Sequence, residues 1–318
     1  MKKISFLVAL YCAIAVMNAG VVHAEKKIGI LLFNDQPRYV ENEKGVIDAL
    51  KKQGFSEPTV KFTVENAGGN KAKAVELVRK FAADKMDMII PIGTSGAVAA
   101  ANEVKDIPII FVMVWDPVES KIAQAWSSSG NNTTGASSKT SAAKLLSAIK
   151  ELRAIKSVAV LYTPGEKNTE IQLKEFMAEQ ANFQIKIIPV PLSRKEEAAQ
   201  VLPDVVGAVQ AICLTGSSVV GEMLPLITDL AKKASVITAS QSEDHVEGGV
   251  LLGVTVNAYA VGHLAGEKAA KVLKGAKPSA IPIESLKKMD LIMNMKVAKE
   301  GKFDIPASFM KQLTRTID

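Results

Sequence analysis

Met88-Ile89-Ile90-Pro91-Ile92-Gly93-Thr94-Ser95-Gly96 reads as a buried strand that runs straight into the first turn of a helix. A nearly continuous apolar run of five residues belongs to a strand covered on both faces, as in a parallel sheet. Before it, Ala74, Val75, Leu77, Val78 and Phe81 repeat at helical spacing within residues 70–83. Strand, helix, strand in this order predicts βαβ units and a doubly wound α/β sheet. Working outward, residues 27–33, 60–64 and 109–114 give further strands, and residues 41–53 and 95–104 further helices. Residues 126–132 break the pattern with Ser-Ser-Ser-Gly-Asn-Asn, a loop by composition.

A second βα series follows. Residues 157–162, 184–190, 210–214 and 236–239 read as strands, with helices over residues 168–180, 193–206 and 219–233. One more strand (249–256), a helix (257–274) and a last strand (291–295) complete the chain. Two similar halves are therefore expected, and no Pro-rich or charged linker separates them. The second half repeats the opening motif, because Ala211 to Leu214 runs into Thr215-Gly216-Ser217-Ser218 and a helix. In open α/β sheets ligands bind at the carboxyl ends of strands, where a helix N-terminus offers free N–H groups. Thr94, Ser95, Gly96, Thr215, Ser217 and Ser218 are accordingly candidate ligand contacts. The same hydroxyls also serve as ordinary N-caps.

Composition narrows the chemistry. The chain has 318 residues, 48% of them hydrophobic, with only two cysteines and three histidines. That excludes a disulfide scaffold and leaves little for a metal centre, so neither metal nor cofactor is expected. Lys2 and Lys3 followed by the apolar residues 4–17 and Val22-His23-Ala24 read as a secretory signal cleaved after Ala24. Its loss removes two lysines and no acid, lowering the formal charge from +6 to +4. The basic residues are interspersed with acids, which argues against a nucleic-acid partner. Cys213 lies in an apolar run and reads as a buried thiol. No G-x-S-x-G elbow, phosphate loop or H-E-x-x-H motif occurs, and Gly165-Glu166-Lys167-Asn168-Thr169 lacks the glycine and G-K pair of a phosphate loop. His245 and His263 fall in a polar loop and a helix. A secreted two-lobed protein without nucleophile or metal suggests a binder rather than an enzyme.

Several stretches then carry a family resemblance: Glu65 to Gly69, Asp106 to Phe111, Asp116-Pro117-Val118, Asn131 to Gly135, Leu161 to Thr169 and Leu273 to Pro278. In this order and spacing the chain resembles the tryptophan/tyrosine-binding (TrpX-like) family of ABC transporter solute-binding proteins. The resemblance implies the type I periplasmic binding protein fold, with two Rossmann-like lobes joined by three hinge crossings. Lobe one would comprise residues 25–136 and 241–281, and lobe two residues 137–240 and 282–318. The crossings would fall near residues 137–140, 240–242 and 282–284. The cleft would be lined by Phe33, Arg38, Thr94, Ser95, Gly96, Trp115, Asp116, Tyr162, Glu166, Asn168, Thr215, Ser217, Ser218, Ser240 and Gln241.

The resemblance also implies a monomeric periplasmic protein that passes a small organic ligand, an amino acid or related carboxylate, to a membrane permease. A ligand-sensing protein and a secreted hydrolase are the alternatives. Two departures bear on the ligand. Family members often carry an acid where Val40 and Gly216 stand here, whereas Arg38 adds a cation suited to carboxylates. With two ammonium partners gone, the expected ligand is neutral or acidic, unless Asp35, Asp116 or Glu166 supplies the charge.

Overall fold

A computed structural model describes residues 25–318. The expected signal segment, residues 1–24, lies outside the described residues. Strands β1 (Lys26–Leu32), β2 (Val60–Asn66), β3 (Met88–Ile92), β4 (Ile109–Val114) and β5 (Thr133–Ser137) build the first sheet. Strands β6 (Ser157–Tyr162), β7 (Lys186–Pro191), β8 (Ala211–Leu214), β9 (Ile237–Ser240) and β10 (Leu252–Thr255) build most of the second. The short β11 (Glu284–Ser285) returns to the first sheet, and β12 (Asp290–Asn294) and β13 (Arg315–Ile317) complete the second. The orders are β11-β5-β4-β3-β1-β2 and β13-β12-β10-β9-β8-β6-β7. Every pairing is parallel except β10 with β12. This is the doubly wound, two-lobed α/β architecture that the alternating pattern predicts.

Strand periodicity explains the cores. In the second lobe Val158, Val160, Ala211 and Cys213 fall in one apolar cluster, while Ala159, Leu161, Ile212 and Leu214 fall in another. Neighbouring residues along a strand point to opposite faces, so each strand needs apolar side chains at every position to serve both layers. Among the described residues no helix is long and apolar enough to cross a membrane.

The lobe boundaries differ from those read in the sequence. β10 pairs with β9 and β12, so residues 241–255 belong to the second lobe and the chain returns to the first at Val256 and Asn257. The helix that follows, Ala258–Leu273, packs on the helix Pro37–Lys52 and on β4 and β5 of the first lobe. β11 pairs with β5, which moves the third crossing past residues 282–284 to residues 286–289. The boundary at residue 241 came with the family resemblance, and a buried apolar strand has the same composition whichever sheet it joins, so nothing within residues 241–255 corrected it. Thr133–Ser137 is a strand without an apolar run to announce it; its threonines and serine are buried with their hydroxyls bonded to carbonyls, as in Thr134 to Ile281 and Ser137 to Trp115. His245 sits in a short helix, Glu243–Glu247, rather than in a loop.

Candidate functional site

The helix Pro37–Lys52 starts four residues earlier than periodicity suggests, because Pro37 at its first turn has φ already set for a helix. That places Arg38 and Tyr39 at the helix N-terminus, facing the second lobe. At the end of β3, Gly93 adopts φ 97°, and a Cβ there would lie 2.7 Å from Tyr39 Cε1. Only glycine lets the Tyr39 ring close over the start of the helix Thr94–Glu103.

Between the lobes lies a cavity of about 350 Å³. The first lobe contributes Arg38, Tyr39, Asn42, Gly93, Thr94, Met113 and Trp115, and the second Asn168, Gln172, Gly216, Gln241 and Asp244. The lobes meet around it. Asn34 Nδ2 donates to Ser218 Oγ (3.0 Å), Gln36 Nε2 to the Ser218 carbonyl (3.0 Å) and Lys71 Nζ to the Gly165 carbonyl (2.7 Å). Trp115 Nε1 donates to Glu175 Oε2 at 3.1 Å on another side.

The central contact is an ion pair across the lobes. Arg38 Nη1 lies 2.8 Å from Asp244 Oδ2, with side chains only 7% and 8% exposed. Burial is the largest single influence on the Asp244 carboxyl and raises it, but the charge and hydrogen bonds of Arg38 together with His245 outweigh it and hold it below the usual carboxylate range. Arg38 Nη2 and Asp244 Oδ1 are buried without a hydrogen-bond partner among the described residues. The guanidinium also sits 5.3 Å from the Tyr39 ring centroid, an attractive cation–π distance.

His245 backs this pair from within the protein. Its Nε2 is 3.3 Å from Arg38 Nη1 and its Nδ1 is 2.9 Å from Ser240 Oγ. Arg38 can only donate, so Nε2 accepts and the ring is neutral with its proton on Nδ1. Burial pushes the imidazole down to about 4, with Asp244 pulling the other way and Arg38 adding to the fall. A base whose folded pKa lies below its unfolded value of about 6.5 keeps its full stabilising effect above that pH and loses it as pH falls toward 4. The melting temperature is therefore expected to decline between pH 6.5 and 4, by the equivalent of roughly 3 kcal/mol from this group. In His245→Gln that portion of the decline should vanish; an unchanged pH profile would assign the acid sensitivity elsewhere.

Five of the residues expected from the sequence come together here: Arg38, Thr94, Trp115, Asn168 and Gln241. The others do not line the cavity. Phe33 is buried in the first-lobe core, Gly96 faces Leu31 and Pro91, and Ser95, next to Thr94 in the same helical turn, is not among the lining residues. Asp116 is committed to Lys139 Nζ (2.8 Å) and to the backbone N–H groups of Val118 and Glu119. Tyr162 ends β6 beside Pro191, Thr215 donates to the Leu161 carbonyl, and Ser217 caps its helix at Val220 N while meeting Thr163 Oγ1. Ser218 bonds to Asn34, and Glu166 accepts from Ser218 N at 3.3 Å. Ser240 holds His245 and the Leu214 carbonyl. Thr94 itself accepts from Trp115 N at 3.2 Å, so its hydroxyl is structural as well as cavity-lining. Cys213 is buried, and burial pushes its thiol up.

Sequence reasoning missed Tyr39, Asn42, Gln172 and Asp244. Gln172 had a signal, since it lies four residues after Asn168 on one helix face. Its Oε1 accepts from Gly216 N (2.9 Å) and its Nε2 reaches Gln241 Oε1 (3.3 Å), while Asn168 Nδ2 donates to the Gly216 carbonyl (2.9 Å). Asp244 had none, being 206 positions from Arg38.

The family model described as ABC transporter substrate binding protein matches residues 27–317. A tyrosine-binding protein of Clostridioides difficile (strain R20291) is 28% identical over 272 residues, 85% of this chain and 79% of that protein. Among solved structures, an ABC domain from Streptococcus pneumonia in complex with L-Trp is 26% identical, with a TM-score of 0.89, covering 92% of this chain and all (100%) of that one. A substrate-binding protein with adhesive properties from Clostridium difficile, in its ligand-free, open form, is also 26% identical with the same coverage, but its TM-score is 0.71. The higher score with the ligand-bound relative agrees with the meeting of the lobes around the cavity described above.

Proposed function

The chain belongs to the ABC transporter substrate-binding proteins, a family that binds ligands rather than transforming them, and from that premise we propose that it captures an α-amino acid outside the cytoplasm and delivers it to a membrane permease. One observation carries the ligand class: Arg38 Nη2, which can only donate, and Asp244 Oδ1, which can only accept, are both buried and unpartnered in the same wall. A zwitterion complements that pair, its carboxylate toward Arg38 and its ammonium toward Asp244. The volume of about 350 Å³ is in the range that encloses a small organic molecule. Trp115 and Tyr39 give it aromatic walls suited to a ring, and the L-Trp-bound and tyrosine-binding relatives support that reading.

This replaces the expectation of a ligand without an ammonium group. Val40 is 47% exposed, so an acid in its place would face solvent and its absence removes nothing from the cavity. At Gly216 a side chain would point toward Asn168 and Gln172, and there the acid is missing. Asp244 supplies a carboxylate in its stead. Asp35, Asp116 and Glu166, the three sources considered from sequence, do not line the cavity.

Calorimetric titration with L-tryptophan, L-tyrosine and their deaminated acids tests the proposal. The amino acids are expected to bind at least about tenfold tighter than the deaminated acids, the value of one hydrogen bond to a charged group. Asp244→Asn should narrow that gap, weakening the amino acids more than the deaminated acids. Deaminated acids binding as tightly as their amino acids would overturn the assignment. Delivery is tested separately, by loss of labelled amino-acid uptake in cells lacking this protein.

A further inference from the structure

Trp115 lines the cavity from the first lobe and is 4% exposed, yet its indole N–H is held by the second lobe, through Glu175 Oε2 at 3.1 Å. The other oxygen of Glu175 receives Lys139 Nζ at 2.7 Å. Lys139 lies on the first crossing between the lobes and also binds Asp116 Oδ2 at 2.8 Å. Asp116 is in turn fixed by the N–H groups of Val118 and Glu119, each 3.0 Å from Oδ1. A chain of charges thus runs from the residue after Trp115, through the crossing, to a carboxylate of the opposite lobe and back to the Trp115 ring. Glu175 stands on the helix Lys167–Ala178, seven residues after Asn168 and three after Gln172, on the face that carries both cavity amides. One helix face therefore presents the ligand-facing amides and clamps the ring on the facing wall.

We infer that Glu175 is a positioning residue: it fixes the Trp115 ring from across the cleft, so the aromatic wall of the site is completed only by closure of the lobes. With the lobes apart, Glu175 moves away with its helix and the indole N–H turns to water. The ring then loses the contact that sets its orientation. Closure and ring selection are coupled through one carboxylate, and ligands without a ring gain nothing from it.

The test reads the indole directly and does not depend on knowing the ligand. The chain has two tryptophans, so ¹⁵N–¹H spectra carry two indole resonances, assigned with Trp126→Phe. Asn34 and Ser218, whose side chains touch across the cleft, are replaced by cysteine and bridged by a short bismaleimide to hold the lobes together. Buried Cys213 should stay unmodified. In the bridged protein the Trp115 indole proton is expected downfield and protected from exchange, returning toward the solvated position without the bridge. Glu175→Ala should abolish the bridged signal, and Glu175→Gln, which keeps an acceptor, should restore much of it. An indole signal that is the same with and without the bridge, or unmoved by Glu175→Ala, overturns the inference.

A second arm rests on the amino-acid reading above. Glu175→Ala should weaken L-tryptophan roughly tenfold, the value of a hydrogen bond to a charged group, and leave L-alanine unchanged. Equal weakening of both overturns the role in ring selection. If the parent binds neither, the amino-acid reading falls while the indole spectra still decide the role of Glu175.

Discussion

Arg38→Met is expected to weaken ligand binding by about two orders of magnitude or more, while the ligand-free melting temperature stays within roughly 2 °C of the parent. Arg38 and Asp244 come from different lobes and meet only when the lobes do. Removing one partner of a buried pair leaves the other charge uncompensated at about 3 to 5 kcal/mol. Here that penalty falls on closure, since an open cleft lets water solvate Asp244. Each lobe has its own apolar core, which the substitution does not touch. The double variant Arg38→Met with Asp244→Asn should recover part of the loss, because no buried charge is then stranded. Calorimetric affinity and differential scanning calorimetry together decide: a large drop in melting temperature with affinity retained would make the pair a support of the fold.

The largest expected effect on stability comes from a single methyl group. Gly→Ala inside a helix normally stabilises by about 0.5 to 1 kcal/mol, because glycine loses more backbone freedom on folding. At Gly262 a Cβ would lie 2.1 Å from the Asn42 carbonyl oxygen, and at Gly45, on the facing helix, 2.2 Å from that of Tyr259. Backbone cannot step aside as a side chain can, so the two helices must separate along their length. Gly262→Ala is expected to destabilise the first lobe by about 3 kcal/mol, near the upper end for overpacking, or roughly 6 to 12 °C in melting temperature. The control is Gly207→Ala in the helix Lys195–Ala208, where nothing lies within 4 Å of the new methyl and a small gain is expected. Thermal melts showing both variants equally stable would refute the close-packing argument. The same helix pair carries Arg38 and Asn42, so a stable Gly262→Ala protein should also bind ligand more weakly.

Much of the architecture was legible without coordinates because helix and strand periodicities are local. The run Met88–Ile92 is buried at every position, as its unbroken apolar composition requires. Thr94 does start a helix at a strand end beside the cavity, and Asn168 does reach the same space from the second lobe. What failed has one cause in each case. Ser217 and Thr215 have the composition of ligand contacts but face their own lobe's backbone, and a hydroxyl's partner cannot be read from its neighbours in sequence. Val40 aligned with an acid, but its side of the helix faces water, away from buried Arg38 and Tyr39.

The sequence by itself determined the alternation of strands and helices, the two halves, the strand-end glycines and hydroxyls, and the family resemblance. All but the resemblance follow from composition and spacing over a few residues, where one backbone geometry permits one apolar pattern; the resemblance rests on particular stretches spread over nearly the whole chain. Only the tertiary structure decided that residues 241–255 join the second sheet, that the charge of Arg38 is met by Asp244, and that Glu175 holds Trp115 from the opposite wall. The ion pair and the indole contact link positions far apart in the chain through the relative placement of two lobes. That placement is set by three short crossings, whose local composition says nothing about what they bring together.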